Sequence, residues 1–330
     1  MDFGRRSRLA PPFTSGALTM ATHRLDIHQQ ITDQIVAMLE RGAGEFRLPW
    51  HQPAGSLLRP INVASKRPYR GVNVLALWAA AQERGYVSGI WGTFRQWSEI
   101  GAQVHKGEKA TFIVFYQEHA TAPGEADDGQ AEQRSRIFAR ATPVFACEQV
   151  EGYQPELPSA HNPVTAIADA EQFVTATGAT IQHEGNRAFY RPSTDAICLP
   201  PRAAFTGTST CSPTESYYAT LLHELTHWTS REHRCNRELG KRFGDDAYAM
   251  EELVAELGAA ILCADLGVSS APRVDHAAYI GHWLRTLKSD KRAIFTAASK
   301  ASQAVDFLNQ LQTMSGYAPF RVGQVEGIRI

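Results

Sequence analysis

The chain has 330 residues, of which 43% are hydrophobic and 20% are charged, a composition typical of a globular protein that is long enough for two domains. Its formal net charge of −1 excludes a polycation that coats nucleic acid through bulk charge. No run approaches the ~20 apolar residues of a membrane-spanning helix, so neither such a helix nor a membrane partner is expected.

Signals for folded elements are missing at the start of the chain, and we predict a disordered tail over residues 1–19, leaving Met1 and Met20 open as the natural start. Arg5 and Arg6 are followed by prolines rather than by an apolar run, so an export signal is rejected. The five cysteines include no CxxC pair, which favours reduced thiols and a cytoplasmic protein.

The front half is predicted to combine helices with one long β-hairpin. Residues 26–41 place Ile27, Ile31 and Ile35 on one face of a helix that Gly42 ends. The other elements predicted in this half are a helix over Val72–Arg84, a short helix at about 93–100, a strand at 110–117, a hairpin loop at 120–135 and a return strand at 137–150.

The back half is predicted to be mainly helical around a small sheet. Three prolines mark residues 152–163 as an interdomain linker. Ser212, Pro213 and Glu215 form a capping box at the start of a helix that runs to about Arg231. The other elements predicted here are a helix at 165–177, strands at 179–183 and 196–199 with a hairpin around 191–195 between them, and helices at 246–266, from 275, and at 290–314.

The sequence His-Glu-Leu-Thr-His, which begins at His223, is an HExxH motif. Four residues advance about 400° along a helix, so His223 and His227 lie one above the other and can share one Zn²⁺, with Glu224 beside them as the general base. The five-residue pattern alone also occurs by chance on solvated helices. Its apolar neighbours, which include Leu225 and Trp228, favour the metal site, because a surface helix does not need them.

A catalytic zinc needs a third protein ligand, and the acidic cluster at 251–256 offers one. Glu252 and Glu256 are one turn apart on one helix face. We interpret Glu252 as the ligand and Glu256 as the carboxylate that orients a ligand histidine through its other ring nitrogen. Glu251 is the alternative ligand, and His233 is a competitor that an Arg- and Glu-rich setting disfavours.

Two further features of this site stay open. A transition-state oxyanion needs a hydrogen-bond donor, and the sequence offers Tyr217, Tyr248, Tyr279 and His282 without favouring one of them. The strand at 196–199 precedes the HExxH helix, and it is either an edge strand that pairs with an extended peptide substrate or a purely structural strand.

The front half is mildly basic: residues 20–150 carry 14 basic and 13 acidic side chains, whereas residues 151–330 carry 16 and 20. Its basic residues alternate with aromatic ones, which suits a single strand of nucleic acid whose bases stack on rings. The aromatic members of this pattern are Trp50, Tyr69, Trp78, Trp91, Trp97 and Tyr116. The alternative is an interaction module with buried tryptophans, since Trp78 lies on an apolar helix face. The residues assigned to DNA contact are Trp50, Arg59, Lys66, Arg70, Arg95, Lys106 and Lys109.

Several long segments of the chain follow, in the same order, segments of a known protein family. They include DIHQQITDQIVAMLERG, RPYRGVNVLALWAAAQERGY, WGTFRQWSEIGAQVHKGEKATFIVFY, HELTHWT and KRFGDDAYAMEELVAELGAAILCADLG. In this order the chain resembles the ArdC-type antirestriction proteins from about residue 25 to residue 312. It departs from them in the tail at 1–19, in the length of 120–135 and at the end of the chain, and none of these departures touches the metal motif.

The resemblance implies an α+β fold of two domains: an N-terminal α/β domain that binds single-stranded DNA, over 20–151, and a C-terminal zincin-like metallopeptidase domain with a small sheet and several helices, over 164–330. It also implies Zn²⁺ held by His223, His227 and the Glu252 region. Such proteins are carried by conjugative plasmids and shield incoming DNA from host restriction. The protein is then either a peptidase that cleaves a restriction enzyme or another DNA-bound host protein, or a DNA-binding shield whose zinc domain is structural or weakly catalytic.

Overall fold

The structure, a computed structural model, describes residues 26–43, 58–120, 135–155, 163–208, 211–239, 246–269 and 276–314. The tail predicted at 1–19, most of the linker predicted at 152–163, most of the hairpin loop predicted at 120–135, and Trp50 lie outside these residues. Within the described ranges, every helix is too short or too polar to cross a bilayer.

The front part of the chain packs two helices, α1 and α2, beside a four-stranded sheet. Its elements in chain order are α1 (Ile27–Ala43), β1 (Ile61–Asn62), α2 (Val72–Arg84), β2 (Ile90–Gly92), α3 (Phe94–Glu99), β3 (Gln103–Val104), β4 (Thr111–Ala120), β5 (Ser135–Ala146) and β6 (Val150–Glu151). The strand order is β1-β2-β5-β4, with β1 parallel to β2 and the other neighbours antiparallel. β3 pairs separately with β6.

The long hairpin of β4 and β5 confirms the two strands predicted around residues 120–135. The return strand was predicted to run to Val150, but β5 ends at Ala146. There the backbone N–H of Ala146 donates to Oε1 of Gln149 at 2.9 Å, and residues 147–149 form a turn of 3₁₀ helix. This local side-chain bond competes with the sheet ladder and ends the strand.

The back part of the chain is a helical layer beside a three-stranded sheet. Its elements are α4 (Pro163–Thr177), β7 (Thr180–His183), β8 (Phe189–Arg191), β9 (Ala196–Leu199), α5 (Pro213–Trp228), α6 (Asp246–Leu266), α7 (His276–Ser289) and α8 (Ala293–Met314). α6 packs against both α5 and α8. The mixture of helices and small sheets confirms the predicted α+β class.

The small sheet corrects one expectation. Its strand order is β7-β9-β8, so β9, at 196–199, is the central strand and is hydrogen-bonded on both sides. Of the two alternatives left open for this strand, the edge strand is therefore excluded and the structural strand remains. All four residues of β9 are buried, and a strand covered on both faces reads as a continuous apolar run, as this one does.

The two parts of the chain share one hydrophobic core. Residues of α1, such as Ile31 and Ile35, belong to the same buried cluster as residues of α6 and α8. Polar contacts join the parts as well: the Thr32 hydroxyl donates to the Lys291 carbonyl at 2.8 Å, and the Gly71 amide donates to the Ser302 hydroxyl at 2.9 Å. The domain boundaries at 20–151 and 164–330 stay a prediction.

The predicted capping box at the start of α5 is confirmed. The amide of Glu215 donates to the hydroxyl of Ser212 at 3.3 Å, and the Glu215 carboxylate accepts the Ser212 amide at 2.9 Å. The other carboxylate oxygen accepts the hydroxyl of Ser269, which follows α6, at 2.6 Å. Burial alone would raise the pKa of Glu215, but the hydrogen bonds from Ser269 and Ser212 outweigh burial and lower it.

We expect Glu215→Gln to lower the free energy of unfolding at neutral pH by about 1 kcal/mol, the usual contribution of a helix cap. Because the pKa is depressed in the folded state, the carboxylate stabilises the fold above its unfolded-state pKa of about 4.3, and this contribution is lost as the pH falls through the folded-state value. Urea unfolding at a series of pH values should show wild type and variant converging in acid. A difference that does not change with pH would contradict this role.

Helices α5 and α6 approach closely at Gly258. A Cβ atom at this position would lie 2.6 Å from Cγ2 and 2.8 Å from Oγ1 of Thr226, both far below ordinary contact. Thr226 stands between His223 and His227 in the sequence. The missing side chain at Gly258 therefore allows α6 to pack directly against the HExxH segment of α5.

We expect Gly258→Ala to lower the free energy of unfolding by about 1–3 kcal/mol through overpacking, and to weaken metal binding because α6 is pushed away from α5. Gly281→Ala is the matched control: a Cβ there would meet only Nη1 of Arg285 at 3.8 Å, so removing a helical glycine should stabilise α7 by up to about 1 kcal/mol. Urea unfolding and metal titration measure both effects. Equal behaviour of the two variants would disprove the close-packing role.

Candidate metal centre

Three buried side chains from α5 and α6 converge on one point. His223, His227 and Glu252 each offer one ligand atom, and these atoms all lie within 4.8 Å of one another. Oε2 of Glu252 is 3.5 Å from Nε2 of His223, and its Oε1 is 3.5 Å from Nε2 of His227. Two imidazoles and one carboxylate are the protein ligands of one class of catalytic zinc site, so these residues fit a metal ion.

Each histidine of this group also faces a second carboxylate. Nδ1 of His223 lies 3.5 Å from Oε2 of Glu256, and Nδ1 of His227 lies 3.3 Å from Oε1 of Glu251. Contacts of this kind fix the ring orientation of a ligand histidine and increase its basicity. From the sequence, Glu251 was only the alternative ligand, whereas in the structure it lies against the ring nitrogen of His227 that faces away from Glu252.

Glu251 is held in turn by Arg237, a residue that no motif in the sequence marks. Nη2 of Arg237 is 2.9 Å from Oε1 of Glu251, and Nε is 3.1 Å from Oε2, a bidentate pair. The same guanidinium donates to the Thr226 carbonyl at 2.7 Å and to the Thr229 hydroxyl at 2.8 Å. Because both charges are buried, these bonds compensate the loss of hydration, and they tie the end of α5 to α6.

We expect Glu251→Gln to lower the affinity for the metal by about 10–100-fold, the range found when a partner of a ligand histidine is removed. The amide keeps the volume of the side chain but removes the charge that pairs with His227 and Arg237. Glu232→Gln makes the same chemical change at an exposed position and should leave the affinity unchanged. Competition titration with a chelating dye measures both variants, and equal affinities would contradict the assignment.

The electrostatics of the group reflect this packing. Burial opposes the protonation of His227, but its hydrogen bonds to Glu251 and Glu252 outweigh burial and raise the pKa of His227 to about 10. Burial alone would likewise raise the pKa of Glu252, yet the two histidines lower it. Because imidazole and carboxylate bind a metal in their deprotonated forms, metal binding at such a group depends on pH.

The remaining predicted residues of this site differ in their burial and in their contacts. Glu224 is buried, at 2% exposure, and follows His223 directly in α5. His233 is exposed and does not belong to the ligand group found among the described residues. The hydroxyl of Tyr217 is 3.0 Å from Nε2 of His183. The other proposed donors are Tyr248 and His282, which are half-buried, and Tyr279, whose side chain lies outside the description.

Some of the residues assigned to DNA contact already pair with carboxylates of the protein. The assigned residues with exposed side chains are Lys66, Arg70, Arg95, Lys106 and Lys109. Of these, Arg70 pairs with Asp306, and Arg95 pairs with Glu99 at 2.7 Å. The assignment of Arg59 to DNA contact has to be corrected. Arg59 is 7% exposed and its guanidinium lies 2.7 Å from Asp265 of α6, so its charge is paired inside the protein.

Three tryptophans of the basic and aromatic pattern, all among the described residues, belong to the core. Trp91 and Trp97 are fully buried, and Trp97 donates its Nε1 to the Phe145 carbonyl at 3.1 Å. Trp78 is 3% exposed and donates to the Leu58 carbonyl at 2.9 Å. Rings satisfied in this way are not platforms for bases. Within the described residues, the exposed aromatic side chain of that pattern is Tyr116.

Two family models match the chain. Residues 25–145 match the N-terminal domain of the anti-restriction factor ArdC, and residues 168–300 match a zincin-like metallopeptidase domain. Among curated proteins, the chain is 46% identical over 295 residues to the uncharacterized protein y4eC of Sinorhizobium fredii, covering 87% of this chain and 93% of that protein. It is also 35% identical over 305 residues to the Escherichia coli DNA primase TraC, covering 88% of this chain but only 27% of the primase.

Two solved structures resemble the whole architecture. The metal-free crystal structure of the antirestriction protein ArdC from plasmid R388 aligns with a TM-score of 0.71 at 36% identity, covering 89% of this chain and 99% of that one. The Mn(II)-bound structure of the same protein aligns with a TM-score of 0.66 at 36% identity, covering 87% and 98%. The likeness therefore extends over both parts of the chain and includes a relative that binds a divalent metal.

Proposed function

Because the chain belongs to the ArdC family of antirestriction proteins, we propose that it binds single-stranded DNA entering a host on a mobile genetic element and protects it with a zinc-dependent peptidase domain. The observation that carries the catalytic part is the buried convergence of His223, His227 and Glu252, with Glu224 on the same helix. Two imidazoles favour zinc over magnesium or calcium, which prefer oxygen ligands.

The residues of the site have distinct roles in this proposal. His223, His227 and Glu252 hold the zinc, which supplies Lewis acidity toward a peptide carbonyl and toward water. Glu224 takes a proton from the attacking water and delivers it to the leaving amine, the usual work of a carboxylate general base. Glu256 and Glu251 keep the two imidazoles oriented, and the surrounding burial excludes bulk solvent from the reacting groups.

An extended peptide substrate requires a sheet edge near α5. Since β9 is paired on both sides, the edges of the described sheet are β7 and β8; β8 packs against α5, whereas β7 reaches α5 through the hydrogen bond between His183 and Tyr217. Addition of a peptide strand to the outer edge of β8 would form main-chain hydrogen bonds that do not depend on sequence. We therefore propose β8, rather than β9, as the strand that aligns the substrate.

The test of the protective function is the survival of unmodified DNA that enters a restricting host expressing the protein. Wild type should raise the survival, and Glu224→Gln should abolish the gain if cleavage of a restriction enzyme or another DNA-bound host protein is responsible. Full protection by Glu224→Gln, with its metal retained, would contradict the peptidase mechanism and favour a DNA-binding shield. No protection by wild type would contradict the proposed function altogether.

The DNA-binding part has its own test. Affinity for a single-stranded and a double-stranded oligonucleotide is measured against salt concentration, since pairing of cations with phosphates makes the affinity fall with salt. We expect a salt-dependent preference for the single strand. Equal affinity for the single-stranded and the double-stranded oligonucleotide, or no binding of either, would contradict this preference.

A further inference from the structure

A cleft with a volume of about 640 Å³ opens between α1, the β4–β5 hairpin and α8. We propose that this cleft binds a single strand of nucleic acid, with cations of α8 on the phosphates and the ring of Tyr116 against a base. The inference rests on the proposed DNA-binding function and gives it a site. None of the residues assigned to DNA contact from the sequence lines this cleft.

One wall of the cleft is a polar, basic face of α8. Arg292, Thr296, Ser299, Lys300 and Gln303 all line it, at spacings that keep them on one side of the helix. They are all exposed, and neither cation forms an ion pair with another described residue. At 1.5 Å per residue the row is about 16 Å long, the length of four to five nucleotides of a stacked strand at ~3.4 Å each.

The cleft is free of opposing negative charge at its surface. None of the described residues that line it is an aspartate or a glutamate. The nearby carboxylate of Asp26, at the start of α1, is already paired with Lys291. The hydroxyl groups of Thr296 and Ser299 add donors between Arg292 and Lys300. Such a mixture of cations and hydroxyls is the usual partner of phosphate oxygens.

The opposite wall offers an aromatic ring that is held in place. Tyr116 of β4 is 56% exposed, and its hydroxyl is 3.3 Å from Nε2 of His28 in α1. The His28 ring lies 4.6 Å from the buried ring of Phe295, centroid to centroid. Tyr116 is thus anchored at its hydroxyl end while its ring stays accessible, which is the requirement for a stacking platform.

The cleft combines both parts of the chain. Tyr116 and His28 lie in the region that matches the N-terminal ArdC domain, whereas Arg292 and Lys300 lie in the region that matches the zincin-like domain. The carbonyl of Gln303 in α8 also accepts a hydrogen bond from the thiol of Cys235, in the segment after the HExxH helix, at 3.8 Å. A strand bound here would therefore contact the front domain and the peptidase domain at once.

The test uses the full chain and a fluorescent oligothymidine of about 16 nucleotides, which is the upper end of the site sizes of single-strand-binding folds. The affinity is measured by fluorescence anisotropy at a series of salt concentrations. The variant Arg292→Gln/Lys300→Gln should bind more weakly and lower the slope of log K against log salt by about 0.7 for each lost phosphate contact. Arg187→Gln/Arg285→Gln removes two exposed cations elsewhere and should match wild type.

A second pair of variants tests the ring. Tyr116→Ala should weaken binding by about tenfold, within the usual range for loss of one base stack. Phe115→Ala is its control, because Phe115 is also exposed, at 53%, but points to the other face of the same strand. This pair removes no charge and decides the question if the double variant fails to fold.

The outcomes separate the cleft from the proposed function. A loss of affinity that is confined to the cleft variants supports the cleft as the binding site. If wild type binds the oligonucleotide and neither Tyr116→Ala nor the α8 double variant lowers its affinity, the cleft is overturned while the DNA-binding function stands. The same holds if the cleft variants and the control variants lose affinity equally. Absence of single-strand binding by wild type would overturn both.

Discussion

Glu224→Gln is expected to abolish peptide hydrolysis while the protein keeps its metal and its fold. Glutamine has the shape of glutamate, so the packing of the buried side chain in α5 is preserved. It cannot accept a proton from water, however, and the loss of a general base typically lowers the rate by about 10²–10⁴-fold. The metal ligands His223, His227 and Glu252 are untouched, so the metal content should equal that of wild type.

The measurement compares kcat on an unfolded protein substrate with metal content for the same preparations. Glu232→Gln serves as the control, because it makes the same change at an exposed position outside the ligand group. A fully metal-loaded Glu224→Gln variant that cleaves at the wild-type rate would show that Glu224 is not the base. If wild type itself has no measurable activity with metal bound, the zinc domain is structural or only weakly catalytic.

The second large effect is expected for Glu252→Ala, which should lower the metal affinity by more than about 100-fold. Glu252 is the carboxylate that lies 3.5 Å from Nε2 of both His223 and His227, so its removal leaves two protein ligands. The loss should exceed the ~10–100-fold expected for Glu251→Gln, which acts only through the orientation of His227.

A comparison with Glu251→Ala decides which carboxylate is the third ligand, because the sequence offered Glu251 as the alternative to Glu252. Titration of both alanine variants with zinc in a competing chelator gives the two affinities directly. We expect the order wild type, Glu251→Ala, Glu252→Ala, from tightest to weakest. A reversed order of the two variants would make Glu251 the ligand and contradict the arrangement of Glu252 between the two histidines. Circular dichroism separates loss of a ligand from loss of the fold.

The sequence predicted the long elements well because their signals are local. Helices α1, α2 and α5 carry apolar periodicity, a terminal glycine or a capping box, and each was predicted to within a few residues. The strands β1, β2, β3 and β6 are two or three residues long, too short for any periodicity. The central position of β9 depends on which strands return to it, which is a property of the topology and not of its own four residues.

The candidate site was predicted in part for a related reason. HExxH fixes two histidines by helical spacing alone, and Glu252 with Glu256 follows the same rule on the next helix. Arg237 was missed because it lies after α5 in an irregular segment, and only the folding back of the chain brings it to Glu251. Arg59 was misassigned because sequence does not distinguish an exposed cation from one that pairs with a distant carboxylate, here Asp265.

Metal analysis of the purified full chain decides whether His223, His227 and Glu252 form a zinc centre. We predict about one zinc ion per chain in wild type, retained through dialysis, and loss of that zinc in His223→Ala with the fold preserved. A wild-type chain that retains no zinc, even after incubation with it, or a His223→Ala variant that binds zinc as tightly as wild type, would contradict the zinc centre.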